Sequence, residues 1–146
     1  MSSARVQVFA DGLRQAGLRV THQRLSICRA LATSNTHPTA VQLHTQLRAE
    51  FPTLSLATVY STLNTLVNLG LVYELGHAGD GQKHYDAITS PHANLICSQC
   101  HQISDLEDNA LEAVNRRVAN RSGYKIQGVR IVYYGICPAC QKRHKR

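Results

Sequence analysis

The feature that most limits what this chain can become is a doubled Cys-x-x-Cys spacing, Cys97 with Cys100 and Cys137 with Cys140. In each pair the intervening loop is short enough for both sulfurs to face one centre. Four thiolates suit one tetrahedral ion, and soft sulfur donors in a closed set of four select Zn²⁺ in a structural role. The stretch between the pairs is too long for a simple zinc ribbon and must hold structure of its own. Two disulfides are the alternative, and a redox-switched zinc site is another. Disulfides belong to oxidising compartments, and nothing in the sequence suggests export, so a permanent zinc staple is the expectation. Cys28, the fifth cysteine, has no cysteine nearby and reads as a buried core thiol.

Charge narrows the partner class. A formal net charge of +7 over 146 residues and a pI near 9.5 point towards a polyanion, although charge alone does not choose one. No apolar run is long enough for a transmembrane helix. The start, Met1 to Arg5, lacks the apolar core of a signal peptide. The expectation is a soluble cytoplasmic protein of one medium domain or two small ones. The basic tail from Gln141 to Arg146 reads as a frayed, solvated end.

The first half reads as helices. Val6, Phe9, Ala10 and Leu13 recur with a helical period that Gly17 ends. Thr21 is a good N-cap for a second helix to about Thr33, with Leu25, Ile27, Cys28 and Leu31 inward. A third helix follows His37-Pro38, from about Thr39 to Glu50. The fourth is capped by Ser55 and closed by Gly70. One of its faces carries Leu56, Val59, Leu63, Leu66 and Val67; the opposite face carries Ala57, Thr58, Ser61 and Thr65. A solvated face would ordinarily carry Lys and Glu. Small uncharged donors and acceptors instead let a backbone approach another surface closely, such as the floor of a DNA major groove.

A hairpin is expected next, with strands Leu71–Leu75 and Gln82–Ile88. Helices ending in a helix-turn-helix and then a hairpin make a winged helix. Thr89-Ser90-Pro91 reads as a boundary. Beyond it the sequence predicts a strand from Asn94 to Ser104, a helix from Asp108 to Arg121 with Leu111, Val114 and Val118 inward, and a β-rich run from Tyr124 to Ile136. So small a second part needs staples. Zinc is one and dimerisation the other, with strand edges near Gly128–Gly135 offering the surface. The expected class is α+β: a winged-helix domain over 1–84, a hinge over 85–91, and a small α/β dimerisation and metal-binding domain over 92–146.

With these residues in view, the chain resembles the ferric uptake regulator family from about Gly17 to Cys140. The likeness is carried by Gly17-Leu18-Arg19-Val20-Thr21-His22-Gln23-Arg24, His37-Pro38-Thr39-Ala40 and Ser55-Leu56-Ala57-Thr58-Val59-Tyr60. Leu95-Ile96-Cys97-Ser98-Gln99-Cys100 and Tyr134-Gly135-Ile136-Cys137-Pro138-Ala139-Cys140 complete it. The resemblance implies a homodimeric, metal-responsive repressor that binds double-stranded operator DNA. It implies structural zinc at Cys97, Cys100, Cys137 and Cys140, and a second, regulatory metal site. The family's sensory positions fall on His37, Asp86, His92 and Asp105. The second His of the family's His-x-His run is replaced by Asn94.

Imidazole nitrogen mixed with hard carboxylate oxygen suits Fe²⁺ or Mn²⁺. Asn94 either supplies a carbonyl oxygen or leaves a position for water or peroxide; the reading adopted is ligation. Aspartate at positions 86 and 105 resembles the peroxide-responsive branch of the family. That resemblance implies inactivation by peroxide through iron-dependent oxidation of His37 or His92. Pro91 and Ala93 stand where some members place ligands of an additional site, so no third metal is expected. For DNA, Thr58 and Tyr60 are expected in the major groove and Arg19, by resemblance, at the minor groove or backbone. Arg24 and Lys83 are expected phosphate contacts. Ser61 stands where many members carry Arg, which alters affinity or sequence preference.

Oxidation of a ligand is sacrificial, so no catalytic residue is assigned and the chain is not read as an enzyme. An uptake repressor that senses iron or manganese without sensing peroxide is the alternative within the class. A non-haem iron oxygenase shares the two-His-one-carboxylate chemistry, but the sequence lacks a jelly-roll strand series and a polar set for a substrate.

Overall fold

Three hydroxyl residues start the helices of the N-terminal half in the same way. Thr21, Thr39 and Ser55 have extended backbones, and each side-chain oxygen accepts the backbone N–H three residues on, from Arg24, Gln42 and Thr58. This satisfies a donor the first helical turn would otherwise leave unpaired. At Thr39 the Gln42 side chain returns the bond, closing a capping box. A computed structural model describes residues 2–145; Met1, and Arg146 of the basic tail, lie outside the described residues.

The helices are α1 (Ser2–Gln15), α2 (His22–Thr33), α3 (Ala40–Leu47) and α4 (Leu56–Asn68), followed by strands β1 (Tyr73–His77) and β2 (Lys83–Asp86). Then come β3 (Ala93–Cys97), β4 (Ile103–Leu106), α5 (Asn109–Ser122), β5 (Ile131–Gly135) and α6 (Pro138–His144). The strands β1 and β2 pair as a two-stranded sheet; the other three form a sheet in the order β4-β3-β5. The chain divides into two compact units. The first runs through Glu74 and includes Lys83–Ile88; the second takes Leu75–Gln82 and everything from Thr89 onward.

The first unit is a winged helix with its own core. Phe9, Leu13, Ile27, Leu31, Leu43, Val59, Leu63, Leu66, Val72 and Tyr85 are buried together. The apolar stripe of α4 supplies Val59, Leu63 and Leu66 to it, as its helical spacing predicts. Cys28 is fully buried in the same cluster. Its thiol is pushed up to about 11, chiefly by burial. Gly70 follows α4 at φ +72, the left-handed C′ geometry that glycine adopts without strain.

The second unit is built on β3, which pairs antiparallel with β4 and parallel with β5. A parallel pairing needs a long crossover, and β4 with α5 supplies it. Asp108 caps α5, and Gly123 ends it at φ +74. The buried apolar side chains here are few: Leu75, Ala78, Ala93, Ile96, Cys97 and Cys140.

Several expectations are corrected. The hairpin's first strand lies two residues later than Leu71–Leu75, because the backbone at Leu71 and Val72 is still bonded to Leu66 at the end of α4. The strand expected over Asn94–Ser104 is two strands, broken where the first cysteine pair turns the chain. Within Tyr124–Ile136 only Ile131–Gly135 is strand. Helix α5 buries no residue: Val114 is 52% and Val118 49% exposed. The tail is not frayed through Gln141–His144, which continues α6; His144 Nε2 meets Gln99 Oε1 at 2.8 Å. Sheets of two and three strands are not a jelly roll.

Candidate metal centres and nucleic-acid interface

The parallel register of β3 and β5 assembles the four cysteines. Ala93 lies opposite Ile131 and Cys97 opposite Gly135, so the strand carrying the first pair ends level with the strand leading to the second. Beyond that end, the Ser98 N–H donates to the Gly135 carbonyl (2.8 Å) and the Cys137 N–H to Cys97 Sγ (3.3 Å). The first pair sits on a tight knuckle. The His101 N–H returns to the Cys97 carbonyl at 2.9 Å, and His101 adopts φ +63. The second pair sits on the start of α6, where Cys137 is the N-cap and Pro138 the first helical residue.

One sulfur from each of the four cysteines lies within 4.8 Å of the others. Cys100 Sγ and Cys137 Sγ are 3.8 Å apart. A tetrahedron with metal–sulfur bonds of about 2.3 Å has edges of about 3.8 Å, so the donor set fits Zn²⁺. None of the four is in a disulfide. Backbone N–H groups of Cys100, Cys137 and Gln99 hold the Cys97 thiol down to about 5. Cys140 is pushed up to about 12, first by its hydrogen bond with Cys137 and then by burial. The same pocket therefore stabilises a thiolate at one sulfur and retains a proton at another. A dication removes that conflict, because it favours all four thiolates together.

In the first unit, His37 and Asp86 form a buried pair. His37 Nε2 lies 3.9 Å from Asp86 Oδ2, with the two side chains 3% and 2% exposed. Strand β2 builds the pair. His84 Nδ1 donates to the His37 carbonyl at 2.7 Å and the Tyr85 N–H to the Pro38 carbonyl at 3.0 Å. Asp86, next in line, faces the imidazole, and its Oδ1 accepts the Ile88 N–H at 2.9 Å. His37 itself is held at φ +53, a conformation that non-glycine residues adopt at some cost. The pinning role of His84 escaped the sequence reading. Its only signal was a second buried-type His two residues before Asp86.

In the second unit, His92 Nε2 lies 3.7 Å from Asp105 Oδ1. His92 Nδ1 contacts the Ser90 carbonyl at 2.8 Å. A carbonyl only accepts, so Nδ1 donates and Nε2 is the ring nitrogen left facing Asp105; metal-binding histidines are oriented in this manner. Asn94 lies directly opposite Asp105 across β3 and β4, which puts both side chains on one face of the sheet. Asn94 is 2% exposed. Its amide nitrogen donates to the Ile131 carbonyl at 3.4 Å, while Oδ1 is buried without a hydrogen-bond partner. Reversing the amide would set two acceptors against each other, so the orientation is fixed. An orphaned buried acceptor costs about 1–3 kcal/mol. This is the observation that fits a hard cation beside His92 and Asp105.

Helix α4 presents Ala57, Tyr60, Ser61 and Asn64 outward, with Tyr60 40% exposed. Thr58 is half-buried and its hydroxyl bonds the Ser55 hydroxyl at 2.9 Å. Arg19 is exposed. Arg24 is partly buried and donates to the Arg19 carbonyl at 2.8 Å, shaping the turn that displays Arg19. Lys83 pairs with Glu74 at 3.3 Å on the surface.

Fold and site together define a winged-helix protein whose second unit is organised by four clustered cysteines. The model of the ferric uptake regulator family matches residues 15–134. The chain belongs to that family. The peroxide-responsive repressor PerR of Staphylococcus aureus is 37% identical over 131 residues, which cover 90% of this chain and 88% of that protein. The solved PerR of Streptococcus pyogenes, described as a basis for peroxide sensing and gene regulation, is 34% identical. Its TM-score is 0.52, with 93% of this chain and 92% of that one covered. Helicobacter pylori Fur superposes with a TM-score of 0.78 over 97% of this chain and 94% of its own, at 22% identity, a likeness of fold alone. No described helix is long and apolar enough to cross a membrane.

Proposed function

We propose that this protein is a metal-dependent transcriptional repressor that binds operator DNA as a homodimer and is inactivated by peroxide. The observation that carries the proposal is two His–Asp contacts, the buried pair His37 with Asp86 and the buried His92 with the exposed Asp105. They occur in a chain 37% identical to a peroxide-responsive repressor.

In this reading Cys97, Cys100, Cys137 and Cys140 hold structural Zn²⁺. His37, Asp86, His92, Asn94 and Asp105 hold Fe²⁺ or Mn²⁺. Ligands drawn from both units give the ion a higher affinity for one arrangement of the units than for others, so metal shifts the population towards it. Tyr60, Thr58 and Ser61 face the groove, with Arg19, Arg24 and Lys83 at the sugar–phosphate backbone. The exposed apolar side chains Val114 and Val118 of α5, Leu106 of β4, and Tyr133 and Tyr134 of the edge strand β5 meet a second copy. The proposed domains are a winged helix over 1–84, a hinge over 85–91 and a dimerisation domain over 92–146.

Bound Fe²⁺ would supply the electrons that activate peroxide beside His37 and His92. The net change inserts one oxygen atom into an imidazole C–H bond and reduces peroxide to water. His37 and His92 present nitrogen donors; an oxidised ring is a poorer one, and the repressing arrangement loses its support. Nothing turns over, so this is not enzymatic catalysis.

The test is peptide mass mapping of the zinc-loaded protein after Fe²⁺ and mild peroxide, with Mn²⁺ as control. One added oxygen on the peptide containing His37 or His92, with Fe²⁺ only, is the expected result. No oxidation with Fe²⁺ demonstrably bound would leave a metal-level repressor and refute peroxide sensing.

A further inference from the structure

We infer that Asn94 is the residue that sets metal selectivity in the regulatory site, flattening its preference for Fe²⁺ over Mn²⁺; this rests on the metal-site reading above. The argument starts from the orphaned acceptor. Asn94 Oδ1 is buried and lacks a hydrogen-bond partner, while Nδ2 is held by the Ile131 carbonyl. Asp105 lies opposite on the same face of the sheet, 3.7 Å from His92 Nε2. The second unit thus brings one imidazole nitrogen, one carboxylate oxygen and one amide oxygen to a common face.

An amide oxygen and an imidazole are both neutral, so exchanging them leaves the charge of the site unchanged. What changes is donor hardness. Affinity rises from Mn²⁺ to Fe²⁺ to Co²⁺ at a site of fixed shape, and imidazole nitrogen suits the later metals while carbonyl and carboxylate oxygen suit Mn²⁺. An oxygen at position 94 therefore narrows the gap between Fe²⁺ and Mn²⁺. In a cell holding both ions it raises the share of Mn²⁺-loaded repressor, and with it the fraction insensitive to peroxide.

The buried amide also predicts a signature that a bystander would not give. Without metal, Oδ1 destabilises the fold and the long Nδ2 bond to the Ile131 carbonyl (3.4 Å) offsets little of that, so an apolar residue of similar shape should leave the metal-free second unit no less stable while weakening metal binding.

The experiment titrates the full-length, zinc-loaded protein anaerobically with Mn²⁺ and with Fe²⁺, following bound metal and the thermal midpoint. Asn94→His should tighten Fe²⁺ about tenfold more than it tightens Mn²⁺. Asn94→Leu should weaken Mn²⁺ about tenfold or more with the zinc retained, and should not lower the midpoint before Mn²⁺ is added. Equal tightening of both ions by Asn94→His, or unchanged Mn²⁺ binding in Asn94→Leu, overturns the inference and leaves the regulatory site standing. A wild-type protein that binds zinc and no second ion overturns both.

Discussion

Removing the four-thiolate site should unfold the second unit and leave the first intact. The perturbation is Cys100→Ser. Cys100 is exposed, so the substitution removes a ligand with little loss of packing. The magnitude follows from how little apolar burial the unit has. Among its described residues Leu75 and Ile96 are the only buried large aliphatic side chains, each contributing about 1.5–3 kcal/mol. A folded body of this size has a net stability of only about 3–10 kcal/mol. Zinc in small four-ligand domains contributes roughly 10–16 kcal/mol, more than the whole of that margin. Loss of the site should therefore melt α5 and α6.

Those helices carry 14 and 7 residues, against 14, 12, 8 and 13 in α1 to α4. Far-ultraviolet circular dichroism should lose roughly a third of its helical signal, and the remainder should melt as a separate cooperative transition of the winged helix. Chelation under reducing conditions should give the same spectrum. The pH dependence has a definite sign. Cys140, with its proton held up to about 12, must release it to bind metal, whereas Cys97, held down to about 5, is already a thiolate near neutrality. Zinc affinity should fall as pH is lowered, and binding near pH 8 should release protons. A Cys100→Ser protein that keeps the full helical signal and melts once, at the wild-type midpoint, would refute the reasoning.

Cys28, pushed up to about 11 by burial, should resist alkylation in the folded protein at pH 8 and react only as the first unit unfolds; mass spectrometry across a urea series checks this. Because its folded value is raised above 9.0, the stability it contributes is present below pH 9 and lost as pH rises towards 11. Val118→Asp should weaken self-association about a hundredfold or more, read by sedimentation equilibrium, since a second copy would bury an unpaired carboxylate. Tyr60→Ala should weaken operator binding about tenfold without altering its salt dependence, because no charge is removed, whereas Arg19→Ala should reduce the salt slope by about one. Fluorescence anisotropy over a salt series separates the two.

The first unit was legible because its determinants are local. Thr21, Thr39 and Ser55 announce the helix starts, Gly70 a helix end, and the stripe Leu56, Val59, Leu63 and Leu66 the buried face of α4. The second unit was legible in its cysteines and less so in its strands. The break within Asn94 to Ser104 had one mark, the Cys97–Cys100 loop itself; no glycine or proline signals it, and His101 takes the positive φ that the turn needs. Val114 and Val118 have core-like spacing yet lie exposed; periodicity reports that a face is apolar, not which chain covers it. The positions of His37, Asp86, His92 and Asp105 were readable from family resemblance. The pinning of His37 by His84 was not, because it joins residues far apart in sequence through a backbone carbonyl.

The local rules fail in a pattern of their own. His37 holds a left-handed backbone without being glycine, Asn94 buries an acceptor with no partner, and α5 leaves a valine stripe in water. A chain selected for stability alone would correct them with a few substitutions: a glycine at 37, a leucine at 94, charged residues at 114 and 118 along α5. The three departures instead fall at a proposed metal ligand, a proposed selectivity residue and a proposed subunit contact. Strain and unsatisfied groups persist where binding offsets them. Each cost should shrink in the bound state: Mn²⁺ should satisfy Asn94, and a second copy should cover Val114 and Val118. Hydrogen exchange of the intact protein tests this directly. Mn²⁺ should slow the amides of β3 and β4, whereas raising protein concentration should slow those of α5. Protection that follows neither variable would place these departures outside function altogether.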